Sequence, residues 1–497
     1  MPSANIPFDN SYARDLQGFY ESCQPAKVQA PQLLFFNRGL AETLRLELDG
    51  FDLAAMFSGN ELPAGAQPIA QAYAGHQFGQ FNPQLGDGRA LLIGEVIDIY
   101  GQRRDIALKG SGRTPFSRRG DGKAAVGPML REVLIGEAMH ALGIPATRAL
   151  AVVATGEPVY RERVLPGAIL TRVAASHLRV GTFQYFAAHG TVGQVRQLAD
   201  YAIARHYPAL QDADNRYLGF LRAVSEKQAA LIAHWMHVGF IHGVMNTDNM
   251  AISGETIDFG PCAFLEAYDP RAVFSSIDEL GRYAYSEQPS IAQWNLSRLA
   301  ETLLPLIDED ETRAIELATA VIDEFSDRYR HHWIGHARAK LGLHDTSRTR
   351  LHSDVLLAGN WLDLLHAQQV DYTLAWRYLA DAAEGNEARL RSLFAGQPGL
   401  DGWLKHWRER CAAEDSGNAN AARERAERMR KTNPWIIPRN HRVEAALATA
   451  SDKGDLGPFE ALLNSLRKPF EEDPALAPYA EPAPAGFMAE FKTFCGT

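Results

Sequence analysis

Two oxygen-bearing side chains, Asn249 and Asp258, have the residue types and the spacing of ligands for a hard divalent cation. An amide oxygen and a carboxylate suit Mg²⁺ or Mn²⁺, with water and nucleotide phosphate oxygens completing an octahedron. Asn249 ends the segment 242–249 (HGVMNTDN), and Asp258 opens the triplet 258–260 (DFG). The pair therefore predicts a site for a metal ion together with the phosphates of a nucleotide.

The same segment resembles a protein-kinase catalytic loop in which one position has changed. Kinases carry H-R-D-x-x-x-x-N and then D-F-G, and the first Asp accepts the proton of the substrate hydroxyl. Val244 occupies that position, and a valine cannot accept a proton. Asp248, the one carboxylate inside the loop, is the natural candidate for the general base, with a turn or capping aspartate as the alternative. His242 is predicted to be structural and to hydrogen-bond the backbone near the triplet.

A lysine and a glutamate in the preceding region form a second candidate pair. Lys109 ends a predicted strand at 105–109, and Glu132 lies in the first turn of a predicted helix at 129–142. In kinases, such an ion pair fixes the lysine that holds the nucleotide phosphates. Either residue alone is more typical of a solvated surface, and only the later loop favours the pairing. Glu137 is the competing partner, but it lies on a different face of the helix.

Three further groups of residues suit phosphate binding. The segment 86–89 (GDGR) is a tight turn whose glycines let backbone amides approach phosphates, although such turns often only join strands. The segment 118–123 (RRGDGK) is a cationic loop just before a helix, which suits an anion, with a solvated loop as the alternative. Arg172 and Arg179 flank the predicted crossing between two lobes, where they either clamp phosphates or form salt bridges between the lobes.

The elements that must position these residues change from strands to helices along the chain. Strands are predicted at 91–99, where Gly94 marks either a bulge or a close backbone approach, and at 149–155 and 159–173, while helices are predicted at 192–207 and 226–239. This order is typical of an α+β, bilobal kinase-like fold. We predict an N-terminal extension at 1–60, an N-lobe at 61–175, a C-lobe at 176–345 and a helical C-terminal region at 346–497.

Composition narrows the class of protein. The chain has 497 residues, 46% of them hydrophobic and 22% charged, with a formal net charge of −10, which argues against a general nucleic-acid binder. No secretory signal and no apolar run of membrane-spanning length are visible. Its four cysteines contain no C-x-x-C, which excludes a zinc ribbon. We expect a cytoplasmic, monomeric protein with no nucleic-acid or membrane partner.

The sequence also resembles the selenoprotein O family of pseudokinases, also called the YdiU family, over nearly its whole length. The motifs that carry the resemblance are long: 71–81 (QAYAGHQFGQF), 85–89 (LGDGR), 108–118 (LKGSGRTPFSR) and 242–250 (HGVMNTDNM). The resemblance implies AMP transfer from ATP to Ser, Thr or Tyr hydroxyls of proteins, with pyrophosphate leaving. UMP transfer from UTP is implied as well. The nucleotide is expected to be flipped relative to its pose in kinases.

The resemblance also implies a role for each site residue. Asp248 is the proton acceptor, Glu132 orients Lys109, and Asn249 and Asp258 hold Mg²⁺ or Mn²⁺. The residues implied to contact the nucleotide are Gly86, Gly88, Arg89, Lys109, Asp121, Gly122, Arg172 and Arg179. Some relatives form a redox disulfide from a cysteine third from the end, here Cys495, but the usual partner region 272–275 (AVFS) has no cysteine, and Cys262 is the only nearby thiol.

Three classes of function therefore compete. The first is a nucleotidyltransferase, the second is a phosphotransferase that has relocated its base to Asp248, and the third is a nucleotide-binding scaffold without turnover. The complete set of Lys109, Glu132, Asn249 and Asp258 argues against the scaffold, because a dead pocket has no physical need for both metal ligands.

Overall fold

A computed structural model describes residues 6–344, 348–394, 396, 398–415 and 417–494 of the chain. The strands, in chain order, are β1 (Tyr20–Ser22), β2 (Gln32–Phe36), β3 (Ile69–Gln71), β4 (Gly75–Gln77), β5 (Gln80–Asn82), β6 (Ala90–Ile97), β7 (Arg103–Lys109), β8 (Ala124–Ala125), β9 (Arg148–Tyr160), β10 (Val164–Ala174), β11 (Phe240–Ile241) and β12 (Ala263–Phe264).

The main sheet is antiparallel and follows the order β1-β3-β6-β7-β10-β9-β2, with β8 paired to β10. Its central strands are buried over most of their length, as their near-continuous apolar residues require. The predicted bulge is confirmed, because the register between β6 and β7 shifts between Leu92 and Gly94. The predicted single strand at 159–173 is wrong: the charged residues 161–163 form a bend, and the segment divides between β9 and β10.

Helices dominate the rest of the chain. They are α1 (Ser11–Asp15), α2 (Arg38–Thr43), α3 (Leu53–Phe57), α4 (Val126–Ala141), α5 (Val180–His189), α6 (Val192–His206), α7 (Arg216–Val238), α8 (Gln288–Ile307), α9 (Glu311–Asp323), α10 (Phe325–Lys340), α11 (Leu351–Ala367), α12 (Tyr372–Ala383), α13 (Ala388–Ser392), α14 (Leu400–Asp415), α15 (Ala421–Thr432), α16 (Asn440–Lys453), α17 (Gly457–Leu466), α18 (Ala477–Ala480) and α19 (Phe487–Glu490). No helix in the described ranges is long and apolar enough to cross a membrane.

Helix α4 packs on the main sheet and begins three residues earlier than the sequence predicts. It starts at Val126, because Pro128 fits in the first turn of a helix, where its missing N–H has no partner to lose. Glu132 consequently lies in the second turn and not in the first. The helix contacts β9 and β10 on one side and α16 and α17 on another, which explains why nearly all its side chains are buried.

The mixed α+β class predicted from the sequence is confirmed. The first 60 residues contribute both edge strands of the main sheet, since β1 pairs with β3 and β2 pairs with β9. The division into two kinase-like lobes and the boundaries near 60, 175 and 345 stay predictions.

Candidate active site

A cavity of about 540 Å³ lies where the end of β7, helix α4 and the loop after α7 meet. Six cationic and four acidic side chains line it, so its wall carries an excess of positive charge. The predicted site residues on this wall are Arg89, Lys109, Glu132, Arg179, Asp248, Asn249 and Asp258. Five others are not among its lining residues: Gly86, Gly88, Asp121, Gly122 and Arg172.

The predicted pair of Lys109 and Glu132 is present and buried. The Lys109 ammonium contacts a carboxylate oxygen of Glu132, and its Nζ lies 2.5 Å from Oδ1 of Asp258. Glu137, the rival partner, pairs instead with Arg148 and Arg467. Glu132 therefore holds the lysine at the end of β7, directed toward Asp258.

Asp258 is surrounded by cations. Besides Lys109, Arg172 donates from Nη1 to Oδ1 of Asp258 at 2.6 Å, and Nη1 of Arg179 lies 3.6 Å from Oδ2. Burial on its own raises the pKa of Asp258, but Lys109, Arg172 and Arg179 outweigh it and hold that pKa well below the usual range. Arg172, although not on the cavity wall, thus acts on the cavity through Asp258.

Arg179 connects the cavity to the catalytic-type loop. Its Nη1 donates to the backbone oxygen of Asp248 at 3.0 Å, and its guanidinium lies 4.5 Å from the centre of the Tyr73 ring. Its Nε is buried and has no hydrogen-bond partner among the described residues. A buried donor without a partner costs free energy, so this nitrogen is suited to a ligand that brings an acceptor.

The loop that follows α7 presents its polar residues to the cavity. After β11 the chain forms a 3₁₀ turn at Thr247–Asn249. Asn249 donates from Nδ2 to the carbonyl of Val244 at 3.0 Å, which fixes the orientation of the amide. His242 is buried, and its Nε2 lies 2.9 Å from the carbonyl of Ile257, so the predicted structural role near the triplet is confirmed.

Asn249 and Asp258 suit a Mg²⁺ or Mn²⁺ ion in their donor chemistry. Because the Asn249 amide nitrogen faces Val244, its oxygen is left as the donor for a ligand. Among the described residues, no cluster of three or more His, Cys, Asp or Glu side chains could hold a metal. Two oxygen donors on one cavity wall match an ion that takes its remaining ligands from phosphates and water.

Asp248 lies on the same wall but is largely buried. Burial raises its pKa to about 6, although Arg179 and a hydrogen bond from Gln77 oppose that shift. Gln77 donates from Nε2 to Oδ2 at 3.3 Å, while Oδ1 is buried and has no partner within the described part of the chain. A carboxylate with this pKa is ionised at neutral pH and can accept a proton.

The glycine-rich turn before β6 is shaped by a close aromatic contact. Gly86 has φ +67°, and a Cβ there would lie 2.3 Å from the Phe116 ring, so only glycine fits. Asp87 in the same turn is buried and accepts from the backbone N–H of Gln71 at 3.0 Å, and it lies 3.9 Å from Arg179. The turn therefore supports Arg179 and leads into Arg89 on the cavity wall.

The cationic loop at 118–123 is held in place by ion pairs and hydrogen bonds at its C-terminal end. Asp121 accepts two hydrogen bonds from Arg161, at 2.8 and 3.0 Å, and Lys123 pairs with Glu157 at 2.6 Å. The carbonyl of Gly122 accepts from the N–H of Gly112 at 3.1 Å. This loop lies beside the cavity and not on its wall, so contact with a nucleotide there stays a prediction.

Several parts of the cavity wall have no role predicted from the sequence, and one of them is Glu444, Leu447, Ala448 and Ser451 of α16. Two more are Tyr73, Gln77 and Phe78, in and next to the hairpin of β4 and β5, and Lys492, Thr493 and Phe494 near the C-terminus. The group at the hairpin lies inside the motif 71–81, whose run of glycine and polar residues without periodicity was the available signal. The group near the C-terminus carries no comparable signal in the sequence.

Cys495, whose counterpart forms a redox disulfide in some relatives, lies outside the described residues, so whether it pairs with Cys262 stays open. Cys262 is buried, its Sγ–H donates to the carbonyl of Phe259 at 3.1 Å, and burial raises its pKa to about 12. Thr493 lies near it, donating from Oγ1 to the carbonyl of Pro261 at 2.7 Å. The Cys262 thiol is therefore protonated and unreactive in this arrangement.

Comparison with known proteins identifies the family of the chain. The model of the family described as "Protein adenylyltransferase SelO" matches residues 2–467. The chain belongs to the SelO family. It is 60% identical over 478 residues to a "Protein nucleotidyltransferase YdiU" of Chromobacterium violaceum, covering 95% of this chain and 98% of that protein. A protein of the same description from Rhizobium etli is 57% identical over 500 residues, covering 100% of this chain and 98% of that protein.

This member of the SelO family is an enzyme of the nucleotidyltransferase type, and a nucleotide is its substrate. The predicted family resemblance is confirmed.

Proposed function

We propose that this enzyme transfers AMP from ATP, and UMP from UTP, to Ser, Thr or Tyr hydroxyls of other proteins and releases pyrophosphate. The observation that carries the proposal is that Val244 and Asp248 lie on the same cavity wall. The position where a kinase holds its base is apolar, and a buried carboxylate lies four residues later, beside Asn249. The reacting phosphorus must then lie near Asp248 and not near the position of the kinase base. A nucleotide that binds in the flipped orientation places its α-phosphorus there.

The cations of the cavity support the binding of a triphosphate. Lys109, Arg89 and Arg179 lie on the wall, and each charge-assisted contact with a phosphate is worth on the order of 1.5–3 kcal/mol. The Nε of Arg179, which has no partner in the described part of the chain, would gain an acceptor when a phosphate oxygen binds. When ATP binds, Lys109 would move part of its interaction from Asp258 to the phosphates, while Glu132 keeps Lys109 in position.

Asn249 and Asp258 would hold Mg²⁺ or Mn²⁺ through one amide oxygen and one carboxylate. When bound, the ion supplies charge neutralisation for the phosphate oxygens and the leaving pyrophosphate. The protein's part is to keep both oxygens on one wall, through the hydrogen bond from Asn249 to Val244 and the cations around Asp258.

Asp248 would take the proton in the transfer step. The acceptor hydroxyl oxygen attacks the α-phosphorus, the bond from that phosphorus to the pyrophosphate oxygen breaks, and the hydroxyl proton moves to the Asp248 carboxylate. A general base contributes roughly 10²–10⁴-fold to such a step. We further propose that the sheet and the helical part correspond to the two lobes of a kinase-like fold, with the cavity between them.

Labelled nucleotides test this proposal directly. The purified chain is incubated with a soluble protein mixture and Mg²⁺ or Mn²⁺, with ATP labelled at the α- or the γ-phosphate, and with α-labelled UTP in a parallel reaction. We expect protein-bound label from the α-position only. Label from the γ-position alone would establish a phosphotransferase, and no label from either position would establish a scaffold; both results contradict the proposal.

A further inference from the structure

The hairpin formed by β4 and β5 docks directly on the catalytic-type loop. The backbone N–H of His76 donates to Oγ1 of Thr247 at 2.7 Å, and that of Phe78 donates to Oδ1 of Asn246 at 3.2 Å. Between them, Gln77 donates its side-chain amide to Asp248. Three consecutive hairpin residues thus hold three consecutive loop residues, although about 170 positions separate them in the chain.

The hairpin is itself held in place from two sides. Gln184 of α5 contacts both partners, because its Nε2 lies 2.7 Å from Nδ1 of His76 and its Oε1 accepts from Oγ1 of Thr247 at 2.6 Å. The hydroxyl of Tyr283 donates to Asn246 at 2.7 Å and accepts from the N–H of Phe78 at 3.1 Å. The hairpin is therefore a rigid support and not a free flap.

The fit against Asp248 leaves no spare room. A Cβ on Gly75 would lie 2.5 Å from Oδ1 of Asp248, so the backbone of the hairpin lies flat against one oxygen of the carboxylate. The other oxygen accepts from Gln77. Among the described residues, Gln77 supplies the only side-chain hydrogen bond to this carboxylate. Both oxygens of Asp248 are consequently located by the hairpin.

We propose that Gln77 is a positioning residue for the transfer reaction, which holds the Asp248 carboxylate at the angle needed to receive the acceptor proton. This inference rests on the proposed function, since it assigns Gln77 a task only if Asp248 is the proton acceptor. Gln77 lines the cavity but acts through Asp248, so its loss should impair the chemical step more than nucleotide binding.

Gln77→Leu removes the donor while keeping a side chain of similar size. We expect kcat for label transfer from α-labelled ATP to fall roughly 10- to 100-fold, as for other partners that orient a reacting group, with KM for ATP nearly unchanged. Gly75→Ala places a methyl group against Oδ1 of Asp248 and should lower kcat in the same way. Gln80→Leu is the matched control, because Gln80 pairs with Gln77 across the hairpin and is exposed.

A double-mutant cycle separates positioning from general support of the fold. If Gln77 acts through the carboxylate, Gln77→Leu has little further effect on kcat in an Asp248→Asn background. An equal loss of kcat in both backgrounds, or a loss confined to KM, would overturn the inference. An unchanged kcat in Gln77→Leu would overturn it as well, whatever the effect of Gly75→Ala.

The failure of this inference differs from the failure of the proposed function. If wild-type enzyme transfers no α-label, or if Asp248→Asn is fully active, the proposed reaction or its base is wrong, and the role of Gln77 falls with it. If wild-type enzyme transfers α-label and Asp248→Asn does not, while Gln77→Leu behaves like Gln80→Leu, only the positioning role is wrong.

Discussion

Asp258 is the residue on which the charges of the cavity converge. Its carboxylate is within 3.6 Å of nitrogens from Lys109, Arg172 and Arg179, and its backbone has φ +64°, in the left-handed region that non-glycine residues seldom adopt. A strained conformation persists only where its surroundings hold it, and here three cations do so. The same carboxylate is therefore both a structural anion and the charged ligand proposed for the metal.

Asp258→Asn keeps the size of the side chain and removes its charge. We expect AMP transfer to be lost and Mn²⁺ binding in the presence of ATP, followed by electron paramagnetic resonance, to disappear. The protein should also lose about 3–5 kcal/mol of stability, because buried cations are left without their anion. Asp327→Asn, on the exposed face of α10, is the control and should behave as wild type. Full transfer activity in Asp258→Asn would rule out the metal assignment.

The pH dependence of the reaction follows from Asp248. Its pKa of about 6 means that the carboxylate becomes protonated as the pH falls through 6, and a protonated base cannot accept the acceptor proton. We expect kcat/KM for ATP to fall about tenfold per pH unit below 6 and to level off above it. ATP binding measured over the same range is the control for titration of the nucleotide. A profile that is flat between pH 5 and 8 would remove Asp248 from the proton transfer.

At the scale of elements, one buried ion network joins the helical part of the chain to the main sheet. Arg205 of α6 pairs with Glu95 of β6 and, at 2.5 Å, with Asp105 of β7, and all three side chains are buried. The charges sit in a low-dielectric interior, so each depends on its partner. This network fixes α6 against the strands that end at Lys109.

Arg205→Ala leaves both carboxylates buried and without their cation. We expect a loss of about 3–5 kcal/mol in stability, measured as a lower midpoint of thermal unfolding. Arg222→Ala is the control, since Arg222 is half exposed and lies 3.8 Å from the equally exposed Glu324, where a pair is worth about 0–1 kcal/mol. Equal shifts in the two variants would show that the network contributes no more than a surface pair.

The sequence predicted the elements whose signals are local. Hydrophobic periodicity predicts the strand that Gly94 interrupts and the helix that carries Glu132. The pairing of Glu132 with Lys109 follows from the catalytic-type loop that comes later in the sequence. The hairpin of β4 and β5 could not be found in this way. Its strands have three residues each, too few for alternation to show, and its contacts with Asp248 depend on chain folding over a long separation.

At the scale of the whole molecule, the charge of the cavity opposes the charge of the chain. The protein carries a formal net charge of −10, yet cationic side chains outnumber acidic ones on the cavity wall. The positive wall repels a free divalent cation, whereas it attracts the negative phosphates of a metal–nucleotide complex. The metal should therefore enter with the nucleotide.

Thermal unfolding in the presence of each ligand tests this order. Mg²⁺ alone should leave the unfolding midpoint unchanged, while ATP with Mg²⁺ should raise it, by an amount equivalent to about 2.7 kcal/mol at a hundredfold excess over Kd. Magnesium with inorganic sulfate is the control for ionic strength. A shift of the midpoint with Mg²⁺ alone, as large as that with Mg²⁺ and ATP, would show a preformed metal site.

The wall near the C-terminus shows the limit of prediction at this scale. Thr493 hydrogen-bonds Phe274 and Pro261, which brings the last described residues to the cavity wall. Nothing in residues 490–494 resembles a ligand-binding motif, and their position depends on the completed fold. By contrast, seven predicted residues meet on one wall. Each of them belongs to a motif or a predicted element whose place in the chain order is visible in the sequence.

The transfer rate of Asp248→Asn, with and without Val244→Asp, tests the central claim most directly. The rate is measured as α-label passing from ATP to protein at saturating ATP, with nucleotide binding measured in parallel. We predict a fall of roughly 10²–10⁴-fold in Asp248→Asn with ATP binding retained, and no recovery when Val244→Asp is added. A mild loss in Asp248→Asn, or recovery of transfer through Val244→Asp, would contradict the account and favour a kinase-like arrangement of the nucleotide.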